Sequence, residues 1–463
     1  MDIRKFLKQY WFQLVVFVLL ITPLFFLMQE NIFRAMILLG SLIVWLVISI
    51  KTKSPVLSSI LYILITLPLN LTYQLPTHVL FFNTDPYVSG IYTNYLVPTL
   101  SILDVGLVLL MASYIYEYGW KHIQVILHKY LFYLIPFVLF LLLQNIFRLD
   151  LNSLANGTRL ILGIISLLFL VDYFKTQKHS NLYKYVLWIS IVSVLIQGVL
   201  GAIQFLHGSS LGLQMLGESQ VVSGIQGSSF VTLNNEVFLR AYGTFPHPNV
   251  LGGYLVMNVL LGIFLFSKSK GFYKKLSVLL IVLSCIFVTL TFSRISILLV
   301  LGIVFVTLIY KLVKGKVFSF TPLLLVERFA NLISGNDTSW SDRVNLTKSS
   351  FSVMKNNLMV GTGLGNFTKG MENVVPTTVN GVLLIQPVHN VVLLMIAELG
   401  IVGSLLYVVL LGKIFISNIS KMNWFKWLVI ISLVIIGCFD HYLFSLPQGM
   451  VIGGILCIFL IND

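Results

Sequence analysis

The sequence has few charged residues and very few cysteines. Only 10% of its 463 residues are Asp, Glu, Lys or Arg, whereas 57% are hydrophobic and 34 are Phe. A soluble domain carries about a quarter charged residues, so the composition excludes a soluble globular protein and indicates a polytopic membrane protein. Cys285, Cys438 and Cys457 all fall in apolar stretches, and they indicate neither disulfides nor a metal cluster.

Several motifs of well-known enzyme classes are also missing. The chain has no HExxH, no CxxC and no paired aspartates at metal-binding spacing. It also lacks the glycine-rich phosphate loop of nucleotide hydrolases. These absences argue against a metal hydrolase and against an ATP-driven pump, and they predict no metal and no cofactor.

Long apolar runs dominate what is present. A membrane-spanning helix needs about 20 mostly apolar residues, and thirteen stretches meet or approach that length: 11–28, 33–50, 55–72, 96–115, 130–147, 156–173, 185–206, 248–266, 276–292, 295–310, 389–411, 425–440 and 447–461. The first run lacks a small-residue cleavage site and is followed at once by another, which favours a retained helix over a signal peptide. The sequence therefore predicts an all-α membrane domain over residues 1–463, with about 12–14 transmembrane helices.

The basic residues divide between lysine and arginine. If the N-terminus is cytoplasmic, 20 of the 30 basic residues fall on the cytoplasmic side, and 19 of these are lysine. This positive-inside bias explains the net charge of +14 without a nucleic-acid partner. Seven of the other ten are arginine: Arg34, Arg148, Arg159, Arg240, Arg294, Arg328 and Arg343. Their planar forks suit a phosphate or carboxylate, although snorkelling or pairing with an acid explains any single one equally well.

One segment does not fit simple alternation of loops. Lys311–Lys316 and Lys413–Lys426 both belong inside, so the chain between them must cross once before the span at 389–411. Its apolar material is Val317–Val326, which is too short for an ordinary span. Two possibilities stay open: a short helix extended through 310–331, or a re-entrant path lined by protein.

Two long polar loops lie on the predicted outer side, at 207–247 and 327–388. The second contains an amphipathic helical pattern followed by "GTGLGNF", which favours a tight glycine turn because no βαβ unit surrounds it. Long loops over a rigid helical frame are common places for functional sites.

Three segments place basic and amide side chains at the outer rim. "RAYGTFPHPNVLGGYL" carries Arg240, His247 and Asn249, "TFSRISI" carries Arg294, and "SWSDRVNL" carries Arg343 beside Asp342. Each also has an ordinary structural explanation: the start of a helix with Pro in its first turn, a snorkelling arginine, or a solvated ion pair.

Two further segments place titratable groups at or below the rim. "VHNVVLLMIAELGIVG" has His389 and Asn390 at the start of a span, with Glu398 nine residues deeper, or roughly 13 Å into the membrane for a continuous helix. Helical phase turns Glu398 away from His389, which predicts a structural pairing role for the carboxyl. "FDHYLFSLPQG" places Asp440 and His441 at an outer helix end.

The order of these motifs resembles the O-antigen ligase/O-antigen polymerase family of bacterial membrane glycosyltransferases. The resemblance rests on "GTFPHPNVLGGYL", "TFSRIS", "DRVNL…GTGLGNF" and above all "HNVVLLMIAELGIVG". It extends over roughly residues 96–455 in order and hydropathy. One departure is Val317–Val326, where family members have a full span.

The resemblance implies a GT-C-like fold and an active site on the outer face of the cytoplasmic membrane. It implies a polyprenyl-pyrophosphate-linked glycan as donor and a sugar hydroxyl of a glycan or glycolipid as acceptor, without a metal. His389 suits the general base near neutral pH, and arginines suit the charge that builds on pyrophosphate. The predicted substrate-binding residues are Arg240, Arg294, Arg343, Asn249 and Asn390; the predicted supporting residues are His247, Glu398, Asp440 and His441.

Two other functions stay open at this point. A polymerase would use the same donor but join it to another repeat unit. A lipid-linked sugar flippase or secondary transporter is a different class, which predicts internal repeats and charges spread through mid-membrane. No such repeat is evident in the sequence.

Overall fold

The computed structural model describes residues 3–21, 32–176, 180–221, 228–233, 236–313, 338–378, 381–419 and 421–461. Most of these residues are α-helical. The helices are α1 (Ile3–Ile21), α2 (Ile32–Thr52), α3 (Pro55–Thr66), α4 (Ile102–Tyr118), α5 (Trp120–His128), α6 (Leu131–Arg148), α7 (Leu151–Thr176), α8 (Ser180–His207), α9 (Pro248–Lys268), α10 (Gly271–Leu290), α11 (Arg294–Val313), α12 (Thr338–Asn356), α13 (Phe367–Gly370), α14 (Val391–Ile416), α15 (Trp424–Phe439), α16 (Tyr442–Ser445) and α17 (Pro447–Ile461).

Short antiparallel ribbons occur only in the loops of the described chain. Four pairs form: β1 (Thr72–Gln74) with β6 (Thr99–Ser101), β2 (His78–Val79) with β3 (Phe82–Asn83), β4 (Tyr87–Val88) with β5 (Ile91–Tyr92), and β7 (Phe230–Leu233) with β8 (Glu236–Leu239). In the longest ribbon, Phe230 is opposite Leu239. The sequence predicted none of these ribbons and did not single out residues 67–101 as a folded loop.

The prediction of a mostly helical, multi-pass membrane protein is confirmed. Among the described residues, seven helices are long and apolar enough to cross a membrane: α2, α6, α7, α8, α9, α10 and α14. The pair α4–α5 counts as one more candidate, bent by 113°, and five apolar helices are shorter. Each of the thirteen apolar stretches coincides with a helix over most of its described residues, but 55–72 and 96–115 extend into the ribbon formed by β1 and β6. The total of 12–14 spans stays a prediction. Val317–Val326 and Arg328 lie outside the described residues.

Helix α9 is the central helix of the bundle. His247 caps it by accepting a hydrogen bond from the amide of Asn249, and Pro248 occupies its first turn. Every residue from Val250 to Leu265 is buried. A helix that is apolar on all sides packs in the interior, so α9 fixes the position of its capped end and of the segment before it.

Three loops meet at the end of the bundle where α9 begins, and we call this the loop end: residues 67–101, 208–247 and 357–390. Thr244 donates a hydrogen bond to the carbonyl of Pro68 at 2.6 Å, which ties the second loop to the first. Lys369 forms an ion pair with Asp85 at 2.8 Å, which ties the third loop to the first.

A break in α14 joins this helix to the third loop. Gly400 has φ 66° and ψ −179°, so the helical hydrogen-bond pattern stops there. The freed carbonyl of Ala397 accepts from the Thr362 amide at 2.8 Å, and the Ile401 amide donates to the Leu358 carbonyl at 2.9 Å. Irregular backbone inside a membrane protein is tolerated where protein groups satisfy it in this way.

We expect Gly400→Ala to destabilise the protein. A Cβ at Gly400 would overlap the Met359 backbone, and its positive φ disfavours any side chain. The expected loss in free energy of unfolding is roughly 1–3 kcal/mol, measured by thermal or denaturant unfolding in detergent. Gly412→Ala is the control, since Gly412 lies in the same helix with open space around it. Equal stability of the two variants would contradict this account of the break.

Candidate active site at the loop end

Arg240 is buried and held by three different segments. Its Nε donates to the carbonyl of Thr291 at 2.8 Å, Nη1 donates to the Ser229 hydroxyl at 3.0 Å, and Nη2 donates to Asn249 Oδ1 at 2.8 Å. A guanidinium has five N–H groups, so these bonds leave two donors for another partner. Burial lowers the pKa of Arg240 to about 10, and the side chain stays charged at neutral pH.

Asn249 connects Arg240 to an acid on another helix. Its Oδ1 accepts from Arg240, while its Nδ2 donates to Asp440 Oδ2 at 2.8 Å. The amide orientation follows from these two partners, because a guanidinium can only donate and a carboxylate can only accept. His247 is the other neighbour: its Nδ1 accepts from the Asn249 amide at 3.2 Å, and its Nε2 lies 3.4 Å from the Ser229 hydroxyl.

Asp440 ends α15 and is followed by a histidine pair. Its Oδ1 accepts from the backbone amide of His441 at 2.8 Å. The His441 Nδ1 lies 2.6 Å from the Ser445 hydroxyl, which itself donates to the His441 carbonyl. Ser445 therefore accepts from Nδ1–H. The ring of His389 meets the His441 ring edge to face, with centroids 5.3 Å apart.

The electrostatics of this cluster keep its histidines neutral and its acid ionised. Burial lowers the pKa of His389 to about 4; His441 and Arg343 act in the same direction, and Asp440 opposes them. Burial likewise lowers the pKa of His247 and of His441. Burial opposes ionisation of Asp440, but the nearby histidines and the Asn249 hydrogen bond outweigh it and hold its pKa below the usual range.

Arg294 is the first residue of α11 and follows a tight turn from α10. Phe292 in that turn has φ 47°, a conformation that a bulky residue rarely adopts. Its ring stacks on Phe205 with centroids 5.7 Å apart, and Phe205 stacks on Phe238 at 5.0 Å. This packing holds the turn whose Thr291 carbonyl binds Arg240, and so places two arginines side by side.

Arg343 reaches the site from the third loop. Helix α12 lies where the sequence predicted an amphipathic helix, and its buried positions include Leu346, Ser350 and Val353. That face packs against α14. Arg343 lies one turn before Leu346, so the same packing carries it toward the start of α14.

The three arginines line one cavity of about 230 Å³. Asn249 and Asp440 also line it, so an acid and three cations share one pocket. The other lining residues are Phe292, Ser293, Ile295, Ser296, Leu298, Trp340, Ile436, Phe439 and Tyr442. The convergence of Arg240, Arg294 and Arg343 agrees with the arginine pattern of the sequence. His389 is not among the described lining residues and lies next to Asp440 and His441.

Paired glycines in α9 allow this close assembly. A side chain at Gly252 would overlap Ser296 of α11, and one at Gly253 would overlap Tyr442 of α16. Helix α11, which begins at Arg294, and helix α16, which begins two residues after Asp440, therefore approach α9 directly. The "GG" of "PHPNVLGGYL" was the available signal for this packing, but the sequence interpretation used only the bend before it.

Asn390 and Glu398 have structural partners in the described chain. Asn390 caps α14 through the Leu393 amide at 3.0 Å and donates to the Cys438 carbonyl at 3.1 Å. Glu398 is buried, and its Oε1 accepts from the Phe367 amide at 3.4 Å. Helix α14 is continuous from Val391 to Leu399 and breaks at Gly400, beyond Glu398, so the depth predicted for Glu398 stays a prediction. The pairing role predicted for this carboxyl agrees with its contact.

The other described arginines of the predicted outer side bind protein groups. Arg159 forms a buried ion pair with Asp104 at 2.9 Å, Arg34 donates to the Thr72 carbonyl at 3.0 Å, and Arg148 donates to the carbonyl of Gly361. The described arginines of the predicted outer side thus have two kinds of role: three line the cavity, and three hold loops and helices in place.

The described residues contain no group of three or more His, Cys, Asp or Glu side chains arranged to hold a metal ion. Metal-independent activity stays a prediction.

Comparison with known proteins gives one positive result. Residues 251–408 match the family model described as O-Antigen ligase. Arg294, Arg343, His389 and Glu398 fall inside the matched range, while Arg240 and Asp440 flank it. No curated protein matches the chain. The matched domain supports an O-antigen ligase/polymerase family assignment and a membrane O-antigen ligase-type function.

Proposed function

We propose that this protein transfers a glycan from a polyprenyl-pyrophosphate carrier to a sugar hydroxyl at the outer face of the cytoplasmic membrane. The observation that supports it is the cavity at the loop end, where three arginines face an ionised aspartate beside neutral histidines. The arginines are suited to bind a pyrophosphate leaving group, and the histidines next to Asp440 are suited to an acceptor hydroxyl.

In this reaction the bond between the anomeric carbon and the pyrophosphate oxygen breaks while a bond to the acceptor oxygen forms. The electron pair leaves with the pyrophosphate, and donors already oriented toward it stabilise the growing charge. Arg294, Arg343 and the two remaining N–H groups of Arg240 supply these donors.

The acceptor hydroxyl loses its proton as it attacks, and we assign that proton to His389. Its low pKa keeps the imidazole neutral before reaction, as a base requires. Asp440 then stabilises the imidazolium, since it raises the pKa of His389. Asp440 itself is a poor base because its own pKa is held down. Asn249 is hydrogen-bonded to both Arg240 and Asp440. It therefore fixes the distance between the guanidinium group that binds pyrophosphate and the carboxylate beside His389.

The direct test is transfer by purified protein in nanodiscs, with a lipid-linked glycan donor and EDTA present. Turnover to a core glycolipid acceptor supports the ligase reaction, and turnover only to a second lipid-linked repeat unit supports polymerase. Lipid translocation without a new glycosidic bond, or activity abolished by chelation, would contradict the proposal.

The pH dependence of kcat/KM should carry the signature of His389. Its pKa is lowered to about 4, so the neutral, reactive form persists from neutral pH down toward that value. Activity should be level across mildly acidic pH and fall only as pH drops through about 4. An acidic limb near 6.5, the ordinary histidine value, would contradict a buried neutral base.

The orientation can be tested by labelling intact cells with a membrane-impermeant maleimide after the three native cysteines are replaced. Leu80→Cys and Glu236→Cys occupy exposed loop-end positions and should react. Lys270→Cys, exposed between α9 and α10, should react only after the membrane is permeabilised. The reverse pattern would invert the topology.

A further inference from the structure

The first loop carries three exposed tyrosines at the loop end. Tyr87 and Tyr92 are opposite each other in the ribbon formed by β4 and β5, and Tyr95 lies in the single 3₁₀ turn that follows, Asn94–Leu96. Their exposed fractions are 49%, 48% and 43%, so each side chain keeps a large open area. The rings of Tyr87 and Tyr92 meet edge to face, with centroids 5.7 Å apart. We call these three side chains the tyrosine surface.

Contacts with two other parts of the chain hold the tyrosine surface in place. Lys369 of α13 donates to the Tyr87 carbonyl at 3.2 Å and to Asp85 at 2.8 Å. Asn152, at the start of α7, donates to the Tyr95 carbonyl at 3.3 Å. The rings therefore stand on backbone that the third loop and α7 both fix, so a ligand that binds there has to order few new groups.

Tyr95 connects the tyrosine surface to the reacting groups. Burial raises its pKa to about 12, and the nearby Asp440 and Tyr242 act in the same direction. Because the residue is nevertheless 43% exposed, its hydroxyl lies inward, close to these groups, while part of its ring faces outward. Tyr95 is not among the described residues that line the arginine cavity, so it reaches Asp440 from outside that cavity.

His389 has an unfilled hydrogen-bonding position in the same cluster. Its Nδ1 atom is buried and has no hydrogen-bond partner among the described residues. A buried polar atom without a partner is uncommon in proteins and often marks a functional group. His389, like Tyr95, interacts with Asp440 and is absent from the described wall of the arginine cavity. The two side chains therefore meet at Asp440 outside that cavity.

The surroundings of the tyrosine surface are polar. Lys369, Asp85 and Glu372 form ion pairs beside the ribbon, and their side chains are 35%, 56% and 48% exposed. Exposed charges of this kind place the ribbon in water rather than in lipid. A sugar offers polarised C–H groups on its faces, which pack on the negative face of an aromatic ring. It also offers hydroxyls around its edge, which carboxylates and amines at the rim of the surface can bind.

We propose that the tyrosine surface binds the acceptor glycan and directs its terminal sugar hydroxyl to His389. This inference rests on the proposed function, which supplies the identity of the acceptor. The pyrophosphate of the donor lies at the arginines, whereas the acceptor comes from the first loop, so the two substrates do not compete for one cavity. Tyr92 and Tyr95 are three residues apart, or at most about 11 Å, so an acceptor of a few sugar units contacts both.

Saturation-transfer NMR with the protein in nanodiscs tests the site without turnover. The probes are two candidate acceptor glycans, a core oligosaccharide and a repeat unit, each released from its lipid by mild acid. We expect the wild-type protein to saturate the C–H protons on one face of a sugar in one of these glycans. The Tyr87→Ala, Tyr92→Ala double variant should lose this transfer. Equal saturation by both proteins, or saturation of neither glycan, would overturn the proposal.

Steady-state kinetics give the matching functional test. Tyr87→Ala and Tyr92→Ala should each raise the KM for the acceptor by about two- to tenfold, the usual effect of losing one aromatic contact. The kcat and the KM for the lipid-linked donor should stay close to the wild-type values. Tyr87→Phe and Tyr92→Phe should restore the acceptor KM, because they keep the ring face. A lower kcat with an unchanged acceptor KM, or Phe variants as impaired as the Ala variants, would contradict the proposal.

Tyr185→Ala is the matched control for these variants. Tyr185 is 45% exposed, but it lies on α8 near the end of the bundle that is away from the loop end. Its acceptor KM should equal that of wild type. An equal rise in this variant would show that the effect does not come from the tyrosine surface.

A spin label tests whether lipid covers the tyrosine surface instead. The label is attached to Tyr92→Cys after the three native cysteines are replaced, and the protein is placed in nanodiscs. We expect faster relaxation of the nitroxide by a water-soluble nickel complex than by oxygen, because the charged neighbours place the ribbon in water. The opposite order would show that lipid is the occupant and would overturn the proposal.

The two proposals fail in different ways. Saturation of a glycan at the tyrosine surface without glycan transfer would contradict the proposed function and leave the glycan-binding site standing. Transfer with an acceptor KM that none of the tyrosine variants changes would contradict the glycan-binding site and leave the function standing.

Discussion

His389→Ala should lower kcat for glycan transfer by about 10²–10⁴-fold, the usual contribution of a general base. The protein should keep its fold, because His389 precedes α14 while Asn390 makes the capping hydrogen bond. Donor binding should persist, since the arginine cavity is lined by other residues. Single-turnover kinetics with a fixed amount of lipid-linked donor measure the chemical step separately from binding.

His78→Ala is the matched control, because His78 is an exposed loop-end histidine on β2. Its activity should equal that of wild type. Asp440→Asn should retain less activity than this control, because the imidazolium of His389 then loses its counter-charge. Wild-type turnover by His389→Ala would show that His389 is not the general base. A much larger loss of turnover in Asp440→Asn than in His389→Ala would indicate that Asp440 is the base instead.

Arg343→Ala should lower kcat by about 10²–10³-fold, as expected when one oriented donor to a developing anion is lost. Arg343→Lys should recover only part of this loss, because an ammonium keeps the charge but lacks the bidentate fork. A second effect separates this residue from a purely structural one. Arg343 lowers the pKa of His389, so its removal should move the acidic limb of the pH profile to higher pH.

Lys348→Ala provides the comparison on the same helix, since Lys348 is exposed and absent from the described cavity wall. We expect wild-type kcat and an unchanged acidic limb. A similar loss of kcat in both variants would indicate that α12 only supports the loop. An acidic limb that stays at the same pH in Arg343→Ala would contradict the claim that Arg343 lowers the pKa of His389.

The helical frame could be predicted from the sequence because span formation is a local property. An apolar run of sufficient length must satisfy its own backbone hydrogen bonds in hydrocarbon, and helix is the conformation that does so. This is why each predicted stretch coincides with a helix over most of its described residues and why Arg294 stands at the start of one. The glycine turn after α12 is equally local, because Gly361, Gly363 and Gly365 all have positive φ.

The break at Gly400 could not be predicted in this way. The run from Val391 to Ile416 is mostly apolar, and a single glycine inside it does not end a helix by itself. The helix opens because the segment around Thr362 comes from another part of the chain to satisfy Ala397. The folded first loop was missed for a related reason, since its ribbons are two or three residues long and leave little periodic signal.

The sequence by itself determined the membrane class, the positions of the helices and the residue types available for chemistry at one end of the bundle. Only the tertiary structure decided which of those residues act together. Asn249 and Asp440 are 191 residues apart yet share a hydrogen bond. Of the six described arginines of the predicted outer side, three face the cavity and three bind protein groups elsewhere. An arginine that lines the cavity and one that binds a protein group look the same in the sequence. Their roles differ because the packing of distant helices brings a different carbonyl, acid or cavity next to each.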